Sequence, residues 1–232
     1  MKTSERSVEG TDVPAEAPKD ARSSGVVAVP AIPAPTVVGF VTLLREQGVW
    51  PAVRAAVLAR DPFASHWIDR IGDSSMCPLV RACLLRTGAE SVVGAVRLRE
   101  LGSIRFARAM ETGLLAPMLR SWARTFVGDA GTLVQLTPHL WRGSTQGLGT
   151  VEVAELSHPP AGGGAATIVF TSDHPTFVGC RAWHVYLEGW AGGLLAMRHG
   201  EETAAARAAA GDDEVSIRVH EGRVTLSVRW SA

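Results

Sequence analysis

Cys180, His184 and Glu188 recur every four residues. On a helix that spacing projects a thiol, an imidazole and a carboxylate along one face. The trio has the chemistry of a partial zinc site, or of a nucleophile held beside a base. A zinc site needs a further protein ligand or a bound water, and His139 and His174 are the histidines a favourable fold would bring near. No zinc or nucleophile motif encloses the three. The plainer reading of His184 is a hydrogen-bonded or solvent-edge imidazole, so the metal reading reduces to Cys180 and His184. The glycine clusters add no chemistry. Gly147–Gly149 precedes a strand, whereas a dinucleotide loop follows one and opens a helix, and Gly162–Gly164 has the composition of a hairpin turn. No P-loop, GxSxG or HExxH occurs. No catalytic residue and no cofactor is expected.

The same segment carries a second pattern. Trp183, Leu187, Trp190, Leu194 and Met197 follow the i, i+4, i+7, i+11, i+14 spacing of one apolar stripe, expected to face a sheet. Gly189 and Gly193 leave one flank without side chains, open to close approach by another backbone. Core packing is the simplest use of such a stripe. A cavity wall or a contact between two copies of the chain are the functional ones. Trp141, Trp183, Trp190 and Trp230 can line a pocket whose ligand His184 and Glu188 would orient, and the same residues are the interface candidates.

These residues sit in a chain of balanced charge, with 23 basic and 23 acidic side chains among 232 residues. Balance gives no general attraction to nucleic acid or to an anionic membrane, and neither is expected as a partner. Arg97, Arg99, Arg105, Arg108, Arg120 and Arg124 gather in the helical part, interrupted by Glu100 and Glu111. This is the composition of a solvated helix surface, without the interleaved aromatic residues that single-stranded nucleic acid stacks on. A hydrophobic content of 46% suffices for a core. Cys77, Cys83 and Cys180 are an odd number without framework spacing and read as reduced thiols. No apolar run is long enough to span a bilayer. The stretch from Val26 to Val41 is interrupted by Pro30, Pro33 and Pro35 and lies too far along the chain for a signal peptide. A soluble, cytoplasmic protein is expected.

Patterning divides the chain into a tail over 1–35 and a single α+β domain over 36–232. The tail lacks aromatic residues and ends in VPAIPAP, and is expected to be disordered. Residues 36–142 read as a run of short helices: Val37 to Gln47 (its VVGFV start also suits a strand), Trp50 to Arg60, Phe63 to Ile71, Pro78 to Arg86 behind a Ser74-Ser75 cap, Glu90 to Leu101 stopped by Gly102, Ile104 to Leu115 capped by Ser103, and Met118 to Val127, with a last piece from Gly131 to Leu136. Residues 143–232 read as a four-stranded antiparallel sheet crossed by one long helix. GLGTVEVAEL and AATIVFTS form one hairpin, and a helix runs from Val178 to Arg198. Glu214 to His220 and Arg223 to Trp230 form a second hairpin, turned at Glu221-Gly222.

Six segments in order, SSMCPL (Ser74–Leu79), RELG (Arg99–Gly102), PHLWR (Pro138–Arg142), VEVAEL (Val151–Leu156), YLEGWAGGLL (Tyr186–Leu195) and VTLSVRW (Val224–Trp230), resemble a family of myxobacterial proteins of unknown function. The resemblance covers residues 36–232. Where that family carries an aromatic pair ahead of the proline, this chain has Met76-Cys77. The family is distantly similar in topology to the vinyl-reductase-associated, haem–nitric-oxide-binding and TRAPP-like domains. The resemblance therefore implies a helix-rich start followed by an antiparallel sheet crossed by a helix. By analogy with the haem-binding relatives His139 would be the axial ligand, but no CxxCH attachment occurs and junction packing suits it better. Functions across the wider group run from ligand sensing to assembly, so the resemblance implies no catalytic residues. Two readings follow. The first, and the one preferred from the sequence, is a non-catalytic regulatory or protein-interaction domain, homodimeric through the Trp190 helix, with an unidentified protein partner. The other is a sensory module holding a small apolar ligand between the helices and the sheet.

Overall fold

Residues 29–111, 116–125, 129–157, 163–172, 174–199 and 213–231 are described by a computed structural model. Strand β1 (Ala31–Pro33) leads into α1 (Ala34–Glu46) and α2 (Trp50–Arg60). Two short 3-10 turns, Pro62–His66 and Ile71–Asp73, precede β2 (Met76–Pro78) and the long helix α3 (Leu79–Glu111). Helices α4 (Ala116–Thr125), α5 (Ala130–Gln135) and α6 (Thr137–Ser144) complete the helical part. The hairpin β3 (Thr150–Ser157) and β4 (Gly164–Thr171) follows, then α7 (Pro175–Gly179), α8 (Arg181–Ala196), β5 (Glu214–His220) and β6 (Arg223–Trp230). The architecture is the expected α+β, with an antiparallel sheet in the order β3-β4-β6-β5.

Alternation sets the faces of the sheet. Ala166, Ile168 and Phe170 of β4 and Val224, Leu226 and Val228 of β6 are buried, whereas Thr171, Arg223, Ser227 and Arg229 are exposed. A bulge between Val153 and Glu155 shifts the β3 register by one residue, which puts Leu156 on the same face as Val151 and Val153. The last two strands end where the sequence places them. Glu221 and Gly222 both take positive φ, 48° and 77°, as a two-residue turn matched to strand twist requires.

Helix α8 lies between α3 and the sheet and is buried all round, from Ala182 to Gly189 without interruption. Its glycine flank faces α3. A Cβ on Gly189 would overlap the Arg99 carbonyl, one on Gly102 the Tyr186 carbonyl, and one on Gly193 the Phe106 ring. Ser103 Oγ donates to the Gly189 carbonyl at 2.7 Å across this crossing.

Four expectations need correction. The proline-rich end of the expected tail belongs to the fold. Ala31–Pro33 pairs with Met76–Pro78, and Ala31, Ile32 and Ala34 are buried. Proline is tolerated because the ribbon is short and the missing donors are not needed: Leu79 N donates to the Pro30 carbonyl at 2.8 Å, and Ala31 exchanges two hydrogen bonds with Gln146. Residues 1–28, the rest of that expected tail, lie outside the described residues. Second, Gly102 and Ser103 do not end and cap helices. α3 runs through both because their small side chains serve the contact with α8, and its one break is at Gly94, where φ is 81°. Third, Phe63 to Ile71 is not a continuous helix. Asp61 accepts from Phe63 N at 3.0 Å and starts only the short turn Pro62–His66. Fourth, the expected Val178 to Arg198 helix starts later. Cys180, at φ −89° and ψ 86°, separates α7 from α8. Pro138 opens α6 in its first turn.

Candidate functional site

The apolar stripe of α8 looks onto a cavity of about 130 Å³ between α8, the sheet and the helical part. Trp183, Leu187, Trp190, Ala191 and Leu194 form one wall, and Ile168, Phe170, Leu226 and Val228 of the sheet form a second. Trp141 and Leu140 of α6 and Phe106, Arg86 and Arg105 of α3 close it. Edge-on aromatic contacts hold these walls. Trp190 meets Phe106 at 4.9 Å, Trp141 meets Phe170 at 4.9 Å, and Trp141 also meets Phe177 at 5.5 Å. A larger depression of about 550 Å³ lies on the polar outer face of the sheet. Several of its polar groups already have partners: Arg229 with Glu214 at 2.8 Å and Thr167 with Glu155 at 3.1 Å.

Of the expected binding residues, Trp141, Trp183 and Trp190 converge on the cavity and the others do not. Trp230 is buried at the far end of β6, where its ring covers Gly164. Glu188 points away from the cavity. One carboxylate oxygen pairs with Arg99 and the other accepts from Ile217 N at 3.0 Å, tying α8 to α3 and to β5. His184 Nε2–H donates to the Phe177 carbonyl at 2.8 Å, closing the α7–α8 corner. Cys180 Sγ lies 4.0 Å from Thr87 Oγ1 and from the Cys83 carbonyl. The three polar groups of the four-residue spacing thus go to three separate partners. Among the described residues no group of three or more His, Cys, Asp or Glu side chains is arranged to hold a metal. His139 does not line the cavity. The arginines of the helical part are dispersed: Arg97 pairs with Glu100 at 2.5 Å, Arg99 with Glu188 and Arg108 with Glu46.

Desolvation lowers the pKa of His184 from its ordinary 6.5, against the opposing hydrogen bond to Phe177 and the charge of Glu188. The unfolded chain therefore takes up this proton at a higher pH than the folded one. Stability from the neutral ring is present above about pH 6.5 and is lost as pH falls below it. Thermal unfolding is expected at lower temperature at pH 5.5 than at pH 7.5, with a shallower pH slope for His184→Gln. Equal slopes would show that His184 does not carry the effect.

Cys83 and Cys180 are neighbours, with Cys180 Sγ 4.0 Å from the Cys83 carbonyl. The neighbouring Cys180 sulfur, and then burial, push the pKa of Cys83 up. The neighbouring Cys83 thiol, with the Trp183 N–H and the Thr87 hydroxyl, draws Cys180 down to about 7 against its own burial. Iodoacetamide at pH 8 is expected to label half-buried Cys180 at least about tenfold faster than buried Cys77 and Cys83. Peptide mapping reads this, and equal labelling would contradict it.

Arg86, Tyr186 and Thr137 also line the cavity and were not anticipated from the sequence. Arg86 had a legible signal. It falls on the i, i+3, i+7, i+10 face of Leu79, Ala82 and Ala89, a charge on an apolar stripe. No protein-family model, curated protein or solved structure matches this chain, so the chemistry of the cavity is read from its own residues.

Proposed function

We propose that this chain is a small-molecule-binding sensory module whose ligand occupies the cavity between α8 and the sheet. One observation carries the reading. Three tryptophans from two separate elements, Trp141 of α6 with Trp183 and Trp190 of α8, close around unfilled space rather than around each other. At about 130 Å³ the cavity is slightly smaller than the apolar cavity of about 150 Å³ that holds benzene, which sets its ligand at the size of a single small ring. Its walls come from both the helical part and the sheet. Ligand occupancy would therefore change how the two pack, which is what a sensor needs.

The alternative, a protein-interaction domain that dimerises through α8, is less well supported. The glycine flank that would admit a second copy is filled by α3, and Trp190 packs on Phe106. The six-segment family resemblance is compatible with either reading. No described helix is long and apolar enough to cross a membrane, and the three cysteines are free, in keeping with a reducing, cytoplasmic setting.

Toluene is expected to bind the wild-type chain with one-to-one stoichiometry by calorimetry. Ala191→Phe, which places a ring in the cavity, is expected to weaken that binding at least about a hundredfold while the far-ultraviolet circular dichroism stays unchanged. Undiminished binding to Ala191→Phe would place the ligand elsewhere.

A further inference from the structure

Arg86 is fully buried, at 0% exposure, in the wall of this cavity. Its guanidinium lies 4.1 Å from the Trp183 ring centroid and 4.2 Å from that of Tyr186, with Phe40 at 5.3 Å. The π clouds of these rings attend to the charge. They supply no acceptor to its edges. Nη1 donates to the Ala82 carbonyl of its own helix at 3.0 Å, whereas Nε and Nη2 are buried without a partner. Nε–H and an Nη2–H point the same way, and that edge is the one that grips a carboxylate with two parallel hydrogen bonds.

The rest of the cavity repeats the pattern. The indole N–H groups of Trp141 and Trp183, the Tyr186 hydroxyl and the Thr137 hydroxyl are all buried and unpartnered, and all four residues line the same space. Every one of these groups can donate, and no aspartate or glutamate occurs among the described lining residues. Buried donors without acceptors, beside a buried cation without a counter-ion, are costly to leave so. Another buried arginine among the described residues is treated differently. Arg198, at 4% exposure, is met by both oxygens of Asp213 at 2.6 and 2.7 Å. Arg86 has no such carboxylate within the described chain.

We infer that the ligand itself supplies that carboxylate: the cavity binds a small organic acid, its carboxylate on the Nε–Nη2 edge of Arg86 and its compact apolar body against Trp190, Leu194 and the sheet. This inference rests on the cavity reading above and narrows it to a class of ligand. The indole and hydroxyl donors of Trp141, Trp183, Tyr186 and Thr137, and Arg105 Nε, which is also buried in the lining without a partner, are available to share the anionic oxygens. The apolar wall explains why the charge alone would not suffice, since an inorganic anion would leave most of the cavity empty.

Benzoate and toluene, equal in ring and different in charge, test this on the wild-type chain. Benzoate is expected to bind at least about tenfold more tightly, and to move the indole N–H proton resonances of Trp141 and Trp183 downfield where toluene does not. Arg86→Met keeps an apolar body between the rings and is expected to lose benzoate affinity by about tenfold or more while retaining toluene. Replacing an unpaired buried charge by an apolar side chain often leaves the apo fold as stable or more so. Should Arg86→Met fail to fold, Arg86→Lys retains the charge without the two-pronged edge, and benzoate binding should still weaken. Toluene binding as tightly as benzoate, or a benzoate preference that survives Arg86→Met, would overturn the inference and leave the cavity reading standing. Failure of both probes on the wild-type chain would overturn both.

Discussion

Gly189→Ala is expected to destabilise the chain, although alanine is the better helix former. In an exposed helix interior the exchange gains up to about 1 kcal/mol. At Gly189 the added Cβ would overlap the Arg99 carbonyl of α3, with the Ser103 backbone nitrogen also in close contact. Neither neighbour is a flexible side-chain end, so the helices must move apart. Overpacking of this kind costs about 1–3 kcal/mol. Gly189→Val, with a branched side chain at the same point, should lose about 3 kcal/mol or more, roughly 10 °C in Tm for a chain of this size. Separation at this crossing would also break the Ser103 hydrogen bond to the Gly189 carbonyl. Gly192 is the control on the same helix. Its nearest Cβ neighbour is Ser103 Oγ at 3.8 Å, an ordinary contact, so Gly192→Ala should raise stability by about 0.5–1 kcal/mol. Denaturant unfolding of the two alanine variants therefore has opposite expected signs. Equal signs would show that the α3–α8 approach is looser than the structure has it.

Phe177→Ala is expected to have the largest effect of any single truncation under α8, about 3–5 kcal/mol. Phe177 is fully buried at the α7–α8 corner. Its ring meets Trp141 at 5.5 Å, His184 at 6.0 Å and Phe170 at 6.2 Å, and its carbonyl accepts the His184 proton. The void would open directly behind Trp141, a wall of the cavity. Toluene affinity should then fall together with stability. Phe177→Leu, which keeps most of the volume, should restore much of both. Loss of stability without loss of toluene affinity would mean that the position of Trp141 does not depend on Phe177.

Legibility in the sequence followed the range of the interactions. The hairpin Glu214–His220 and Arg223–Trp230 was legible to the residue, because alternation and a Glu-Gly turn are local signals. The tryptophans were legible as a set, and the apolar stripe put Trp183 and Trp190 on one face. What spacing does not reveal is which face of a helix meets which neighbour once the helix is buried all round. The plain reading of His184 as a hydrogen-bonded imidazole holds, whereas spacing alone left Glu188 and His184 as candidates to orient a ligand when they tie α8 to β5 and to α7. Gly102 read as a stop because its use is tertiary, a close approach to α8 that no local pattern reports. Ala31–Pro33 read as tail because its strand partner lies 45 residues away. Arg86 was the missed signal within reach: an arginine on the apolar face of a helix has to be accounted for by something in the core.

The most direct test of the ligand-binding account is native mass spectrometry of the chain, purified without a denaturing step and then saturated with benzoate. The account predicts one bound small molecule per chain, either benzoate or a resident acid of similar size that benzoate displaces, and its absence from Ala191→Phe. A wild-type chain that stays at its bare mass, with no uptake of benzoate or toluene, would contradict it.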